Sequence, residues 1–280
     1  MIEHIKIDWY RTPIAREKLR ELTARSDWKP LLHVLAQLAL SAATGFVAFY
    51  SFRNWAWPVT VLLVWVHCTF YNFLGYAGGA HELSHRNVFK TSWLNEVVMF
   101  VSGVLSWGNY IHFRHSHMKH HQLTVHSDHD YEVILPNIVP ARQWFWILIF
   151  LVTLGSFTAK WLNVLAGYPQ HLGMEPDVPD LRLSCRSFIP HPFIRFLYGN
   201  MNYHVEHHMY ASVPFYNIPK LNREIAWDIP VATRGLFRLW REEVLPIIRR
   251  QRTDPDWIPP VELPEGSHPP LRYGEAAATR

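Results

Sequence analysis

Residues 30–52, PLLHVLAQLALSAATGFVAFYSF, contain no Asp, Glu, Lys or Arg, and after Arg53 the 28 positions of residues 54–81 contain none either. About 20 apolar residues in helical form cover the hydrocarbon core of a bilayer. One such run is compatible with a buried helix in a soluble core. Two, separated only by RNWAWP at 53–58, read as a hairpin that crosses and returns, with Trp55 and Trp57 suited to the headgroup level. Spans are expected at about 31–52 and 56–80. The fold class expected is all-α, an integral membrane helical protein with a cytoplasmic cap.

Orientation follows from basic residues. Residues 1–29 carry Lys6, Arg11, Arg16, Lys18, Arg20, Arg25 and Lys29, against Arg53 alone in the outer turn. The positive-inside rule puts the N-terminus in the cytoplasm, and two crossings return His81 and His85 to that side. The first 30 residues lack the apolar core of a signal peptide. Thr12 and Pro13 are expected to open a short solvated or interfacial helix reaching about Arg25. Residues 97–113 read as an interfacial or inserted helix. Residues 143–167 are apolar enough for one span but too short for two. A re-entrant turn near Gly155 and Ser156 is expected, because a single crossing would strand the downstream histidines on the wrong face. Three regions result: a cytoplasmic segment 1–29, a membrane domain 30–252 and a loosely ordered tail 253–280.

Composition narrows function. Aromatics reach 15%, charged residues only 18%, and His numbers 18. A net charge of +4 without a recognition motif gives no case for nucleic acid. Cys68 and Cys185 cannot build a disulfide framework, which favours a reducing compartment.

The histidines carry the chemistry. HELSH at 81–85 fits H-E-x-x-H, the zinc site of a metalloprotease with Glu82 as base, and equally fits one piece of a larger cluster. HMKHH at 117–121 and HVEHH at 204–208 both read H-x-x-H-H. At this chain's His frequency one such box arises about 0.07 times by accident, so two are a strong signal. Positions i, i+3 and i+4 share a helix face, so the histidines of each box are expected to point one way. Eight imidazoles exceed the needs of one tetrahedral zinc and suit two metals with open positions. Spacing alone does not name the metal. Glu82, Glu206, Asp128 and Asp130 are candidates to hold imidazole tautomers. His112, His115, His126 and His129 read as neighbours, His33 as a hydrogen-bonded helix residue; His4, His191 and His268 show no pattern.

The three boxes, following two apolar spans, resemble those of the membrane fatty acid desaturase superfamily of desaturases, hydroxylases and ketolases. GNMNYHVEHHMYASVPFYNIPKL at 199–221 is the best local match, resembling the third box and the segment after it, and RLSCRSFIPHPFIRFLYGNMNYHVEHH at 182–208 is most similar to bacterial members that resemble hydrocarbon oxygenases. The resemblance implies two non-haem irons held by His81, His85, His117, His120, His121, His204, His207 and His208. Members often add a histidine between boxes two and three, and His171 in YPQHLGM supplies it. It further implies O2 as co-substrate and oxidation of an unactivated C–H bond in a membrane lipid or other hydrophobic substrate, by desaturation or hydroxylation. Electrons would come from an external ferredoxin, Rieske-type or cytochrome-type protein with its reductase, for which Arg182, Arg186 and Arg195 are the expected landing points. Alternatives are a membrane zinc protease built on HELSH, a small-metabolite oxygenase of the same superfamily, and a histidine-rich metal-binding or transport protein.

Overall fold

A computed structural model describes residues 7–75, 79–106, 108–126, 130 and 159–273. The chain is mostly helical. Helix α1 covers Arg16–Leu22, α2 Trp28–Asn54 and α3 Trp57–Tyr71, which tightens into a 3-10 turn at Asn72–Leu74. Helices α4 (Gly79–Leu83), α5 (Ser92–Leu105) and α6 (Tyr110–Leu123) follow. Then come α7 (Trp161–Gly167), α8 (Leu181–Ser184), α9 (Pro192–Leu197), α10 (His204–Met209) and α11 (Ile218–Ile225). Helix α12 (Leu236–Leu239) runs through a π turn into α13 (Leu245–Gln251). The departure from all-α is small: Phe188–Ile189 (β1) and Thr233–Arg234 (β2) form a two-residue parallel pair.

The two apolar runs become α2 and α3, which are long and apolar enough to cross a bilayer. At 1.5 Å per residue, α2 is about 40 Å long. It begins earlier than expected, at Trp28, because Pro30 falls in the first turn, where no backbone N–H is needed. It ends at Asn54, and Trp55 is extended, so the connection shrinks to two residues before Pro58 opens α3. The second apolar helix stops at Leu74, short of the expected residue 80, with the Asn72 side chain bonded back to the Cys68 carbonyl and Gly75 extended. Small side chains seam the hairpin: Ser41, Ala48 and Ser51 are buried on α2. At Gly45 an added Cβ would come within 3.1 Å of the His67 ring. Thr44 Oγ1 lies 2.9 Å from His67 Nδ1, and Ser51 donates to Thr60. Such close approach with cross-helix polar pairs is how apolar helices associate without a hydrophobic driving force.

Three expectations are corrected. Residues 97–113 are not one helix: α5 closes at Ser106, whose hydroxyl bonds Ser102 O, and Asn109 caps α6 by accepting from His112 N. The capping chemistry of Asn109 outweighs the continuous apolar pattern. Thr12 does not open a helix. It is buried and donates to Asp228 Oδ2 at 2.7 Å, while α1 begins at Arg16. The stretch before α1 is therefore docked, whereas α1 itself, with Arg16, Glu17, Arg20 and Glu21 exposed, is a short solvent-facing helix within the expected range. The tail, as far as Tyr273, is also tied down. His268 and Pro269 carbonyls accept from Arg182, Leu271 N donates to Asp180, and Arg272 pairs with Glu175 at 2.7 Å. The turn expected near Gly155 and Ser156 lies outside the described residues, though α7 falls within the second arm expected at 157–167.

Two apolar clusters hold the histidine segments between them. One joins Leu83, Phe89, Met99, Val205, Met209 and Ile218, thereby seating α4 and α10. The other joins Phe73, Leu162, Ala166, Leu172, Leu197 and Ile248, thereby seating the His171 turn.

Candidate metal centre

Each box reaches the centre by a different local device. His81 lies in α4 and His85 in the turn that follows, where Arg86 takes a left-handed φ of 56°. Box two rides on α6, with its histidines inward and Ile111, His115, Met118, Lys119 and Gln122 exposed on the far side. Box three is α10, whose six residues are all buried. His171 follows the 3-10 turn Tyr168–Gln170, steadied by Gln170 donating to Met201 O. Two residues on, Gly173 has φ +65°, and a Cβ there would meet Ile247 at 2.6 Å. Only glycine fits that bend.

The nine histidines form two sets. His81, His85, His117 and His207 converge, as do His120, His171, His204 and His208. His121 belongs with the first: its Nε2 is 3.0 Å from those of both His117 and His207. The sequence reading had each box pointing one way, and here it is corrected. In each H-x-x-H-H box the i, i+4 pair serves one set and the i+3 histidine serves the other. His117 and His121 go to the first set and His120 to the second; His204 and His208 go to the second and His207 to the first. A helix advances 100° per residue, so neighbouring side chains diverge enough to serve two points.

The donor set fits metal ions. Nε2 atoms face one another at 3.2 Å (His85–His117), 2.9 Å (His171–His204) and 3.1 Å (His204–His208). Facing imidazole nitrogens at this range share either a proton or a cation, and a metal ion replaces the proton when the rings are all turned to present lone pairs. At a metal–nitrogen distance of about 2.1 Å, adjacent octahedral corners are about 3.0 Å apart and tetrahedral corners about 3.4 Å. The spacing is that of nitrogens able to share one metal ion, and with four or more nitrogens in each set the donor number exceeds what one zinc tetrahedron with an open position uses. Burial, reinforced by the neighbouring imidazoles, pushes His81 down to about 4 and His85 to about 3. Burial likewise takes His171 down to about 3. These rings are therefore neutral near pH 7 and offer lone pairs.

The outward nitrogens fix the tautomers. His120 Nδ1 lies 2.8 Å from Asp130 Oδ2, and His171 Nδ1 lies 3.0 Å from the Ser184 carbonyl, so both carry their proton on Nδ1. Thr124 gives its hydroxyl proton to His120 O and lies 3.1 Å from His208 Nδ1, so it must accept from that nitrogen. Each arrangement turns an Nε2 lone pair inward. Thr124 and the Ser184 carbonyl escaped the sequence reading, because a threonine and a backbone oxygen carry no motif.

Glu82 Oε1 lies 2.9 Å from His207 Nδ1 and 3.6 Å from His81 Nδ1. Burial alone would raise its pKa, but His207 and the contacts from both rings hold it well below the usual carboxylate range. It approaches the backs of two imidazoles, whereas a protease base must face water at the metal's open position. HELSH is thus part of the nine-histidine constellation. Of the other carboxylates, Asp130 takes the expected place. Glu206 does not: it accepts from Ser187 and Asn222 and touches no box imidazole. Asp128 and His129 lie outside the described residues.

Among the described residues, the remaining histidines stand apart from both sets. His112 and His115 are exposed, and His126 bonds the Thr124 carbonyl. His33 packs on Phe196 and Phe215, and His191 caps α9. The arginines proposed for partner docking are otherwise engaged. Arg182 is fully buried, Arg186 is turned onto Glu243 at 2.8 Å, and Arg195 lies over the Tyr203 ring.

Comparison with known proteins adds to this geometry. The profile of the family described as fatty acid desaturase matches residues 55–166 and 133–240, a range containing every histidine of both sets. The bifunctional fatty acid conjugase/Delta(12)-oleate desaturase of Punica granatum is 32% identical over 117 residues. That match covers 42% of this chain and 28% of the relative. No solved structure matches.

Proposed function

From the chain's membership in the fatty acid desaturase family, which makes it an oxidoreductase, we propose that it is an integral membrane enzyme that oxidises an unactivated C–H bond of a lipid acyl or similarly hydrophobic chain, using O2 at two histidine-held irons. The observation that carries this reading is the pair of interleaved histidine sets. The hairpin adds to it. Outward residues such as Leu32 (62% exposed), Phe46 (68%) and Phe49 (63%) would be a liability in water and are what a spanning hairpin offers to lipid. The basic N-terminal segment favours a cytoplasmic centre.

His81, His85, His117, His121 and His207 would hold one iron, and His120, His171, His204 and His208 the other. Iron bound there supplies the O2 activation that breaking an unactivated C–H bond demands. The chain's part is to hold nine imidazoles in place, keep the protons of His120, His171 and His208 on Nδ1, and exclude bulk water from buried ligands. The stoichiometry requires an outside donor. Desaturation removes two hydrogens from adjacent carbons, and with two further electrons and two protons both atoms of O2 leave as water. Hydroxylation needs the same two electrons and puts one oxygen into the product.

The test is expression with a ferredoxin and its reductase, followed by mass spectrometry of fed lipids and small metabolites. A product lacking two hydrogens or gaining one oxygen, dependent on O2 and on the donor, is expected. Turnover with O2 and NADH alone would exclude an external donor. Peptide hydrolysis would revive the protease.

Glu82→Gln discriminates further. Loss of the carboxylate charge behind His207 and His81 is expected to weaken metal retention and activity about 10–100-fold while leaving measurable oxygenation. A variant that keeps its full metal complement and is wholly inactive would instead mark Glu82 as the general base.

A further inference from the structure

A cavity of about 590 Å³ opens beside the metal centre, and its walls include Trp9, Arg11, Met118, His121, Gln122 and His208. His121 belongs to the first histidine set and His208 to the second. Their rings stack with centroids 4.2 Å apart and planes inclined by 23°. One opening therefore reaches a ligand of each metal position at once. Its wall is fixed, because the Trp9 indole N–H donates to the Gln122 carbonyl at 3.0 Å.

The rim has a definite chemical character. Arg11, Met118 and Gln122 are exposed, and Lys119 is exposed on the same side of α6 as Gln122, three residues apart. Helix α6 carries Arg114 and Lys119 and no Asp or Glu. Asp8, exposed beside Trp9 in the chain, is the nearest acidic residue in sequence to this rim. Arg114 is already paired with Glu96 at 2.9 Å, which leaves Arg11 and Lys119 as the charges offered outward. Of the arginines nearer box three, Arg182 is buried and Arg186 is turned onto Glu243, while Arg195 is half-buried over the Tyr203 ring.

We propose that this mouth is the docking surface for an acidic one-electron carrier protein, and that electrons enter through the stacked His121–His208 edge. The inference rests on the reading that reducing equivalents come from a separate protein. Two carriers are oxidised by one electron each per turnover. Together with the two electrons lost by the substrate they reduce one O2 to two waters in desaturation. Electron tunnelling falls off steeply with distance, so a carrier gains most where metal ligands lie nearest the surface. Charge complementarity at the rim governs encounter, and it is screened by salt.

The test uses the purified full-length protein in detergent, with a plant-type ferredoxin, an acidic protein, as probe and basic cytochrome c as control. Binding of ferredoxin to wild type should be measurable at low ionic strength and weaken as salt rises. Arg11→Glu with Lys119→Glu should weaken it at least about tenfold and flatten its salt dependence. Iron content, and the single-turnover product formed when protein reduced by dithionite is freed of the reagent and then exposed to O2, should stay at wild-type levels. Undiminished ferredoxin binding in the double variant would overturn the proposal. So would a preference of wild type for cytochrome c, or an equal loss of single-turnover product. Wild type that binds ferredoxin as described yet makes no product when reduced, freed of dithionite and exposed to O2 would sink the oxygenase reading and leave the docking surface standing.

Discussion

His207→Ala is expected to lower product formation by more than about 100-fold and to reduce iron well below two per chain. Loss of partners that merely orient a ligand costs about 10–100-fold, and His207 is itself a ligand in this reading. It is also the member of box three that serves the first set, with Nε2 3.0 Å from that of His121 and Nδ1 2.9 Å from Glu82. Truncation removes a donor and leaves the Glu82 carboxylate, 1% exposed, without the imidazole nitrogen that lies 2.9 Å from its Oε1. Replacement from nearby is excluded by geometry. His204 and His208 already face the other set, and α10 is buried on all sides. Iron by elemental analysis, read beside product by mass spectrometry, checks this. His115→Ala, on the exposed face of the same kind of motif-rich helix, should leave both unchanged. Retention of two irons and normal turnover in His207→Ala would end the two-set assignment.

Arg182→Ala should destabilise the fold by about 3–5 kcal/mol, the range for removing one partner of a buried ion pair. The guanidinium is fully buried between Asp180 at 2.7 Å and Asp228 at 2.8 Å. It donates further to the His268 and Pro269 carbonyls and lies 3.9 Å from the centre of the Tyr10 ring. Both chain ends are thus fastened to the segment between His171 and box three. For a chain of this size the loss corresponds to a fall in melting temperature of roughly 6–20 °C. Tryptophan fluorescence during heating in detergent measures it. Arg182→Lys should fall almost as far, since one ammonium cannot reproduce a planar five-donor fork. A melting temperature unchanged in both would mean that Arg182 contributes nothing to holding the ends.

What could be read from the sequence was whatever repeats over short distances. The apolar runs showed α2 and α3, and the spacing within HMKHH and HVEHH showed the candidate ligands. His171 came by resemblance. The rest depends on partners far apart in the chain. Thr12 and Pro13 have the local form of a helix start, but the hydroxyl is taken by Asp228, 216 residues away. The proline-rich tail has a composition that ordinarily stays loose, yet its anchors are main-chain carbonyls at His268 and Pro269, which no composition records. Helical spacing predicted correctly that the box histidines cluster. It could not tell that a shared face, when two points lie side by side, is divided between them.

That division limits how such a chain can change. Between boxes, residues can be added or lost while the helices still meet. Inside a box, one inserted residue turns everything beyond it by 100° and sends a histidine meant for one position toward the other. Because His120 and His121 are joined by a single peptide bond, as are His207 and His208, neither position can be abandoned or moved alone. A shift of α6 or α10 that opens one closes on its twin. The spacing between the two histidine sets is written into the pitch of a helix, and a variant with a single set has no short route from this one.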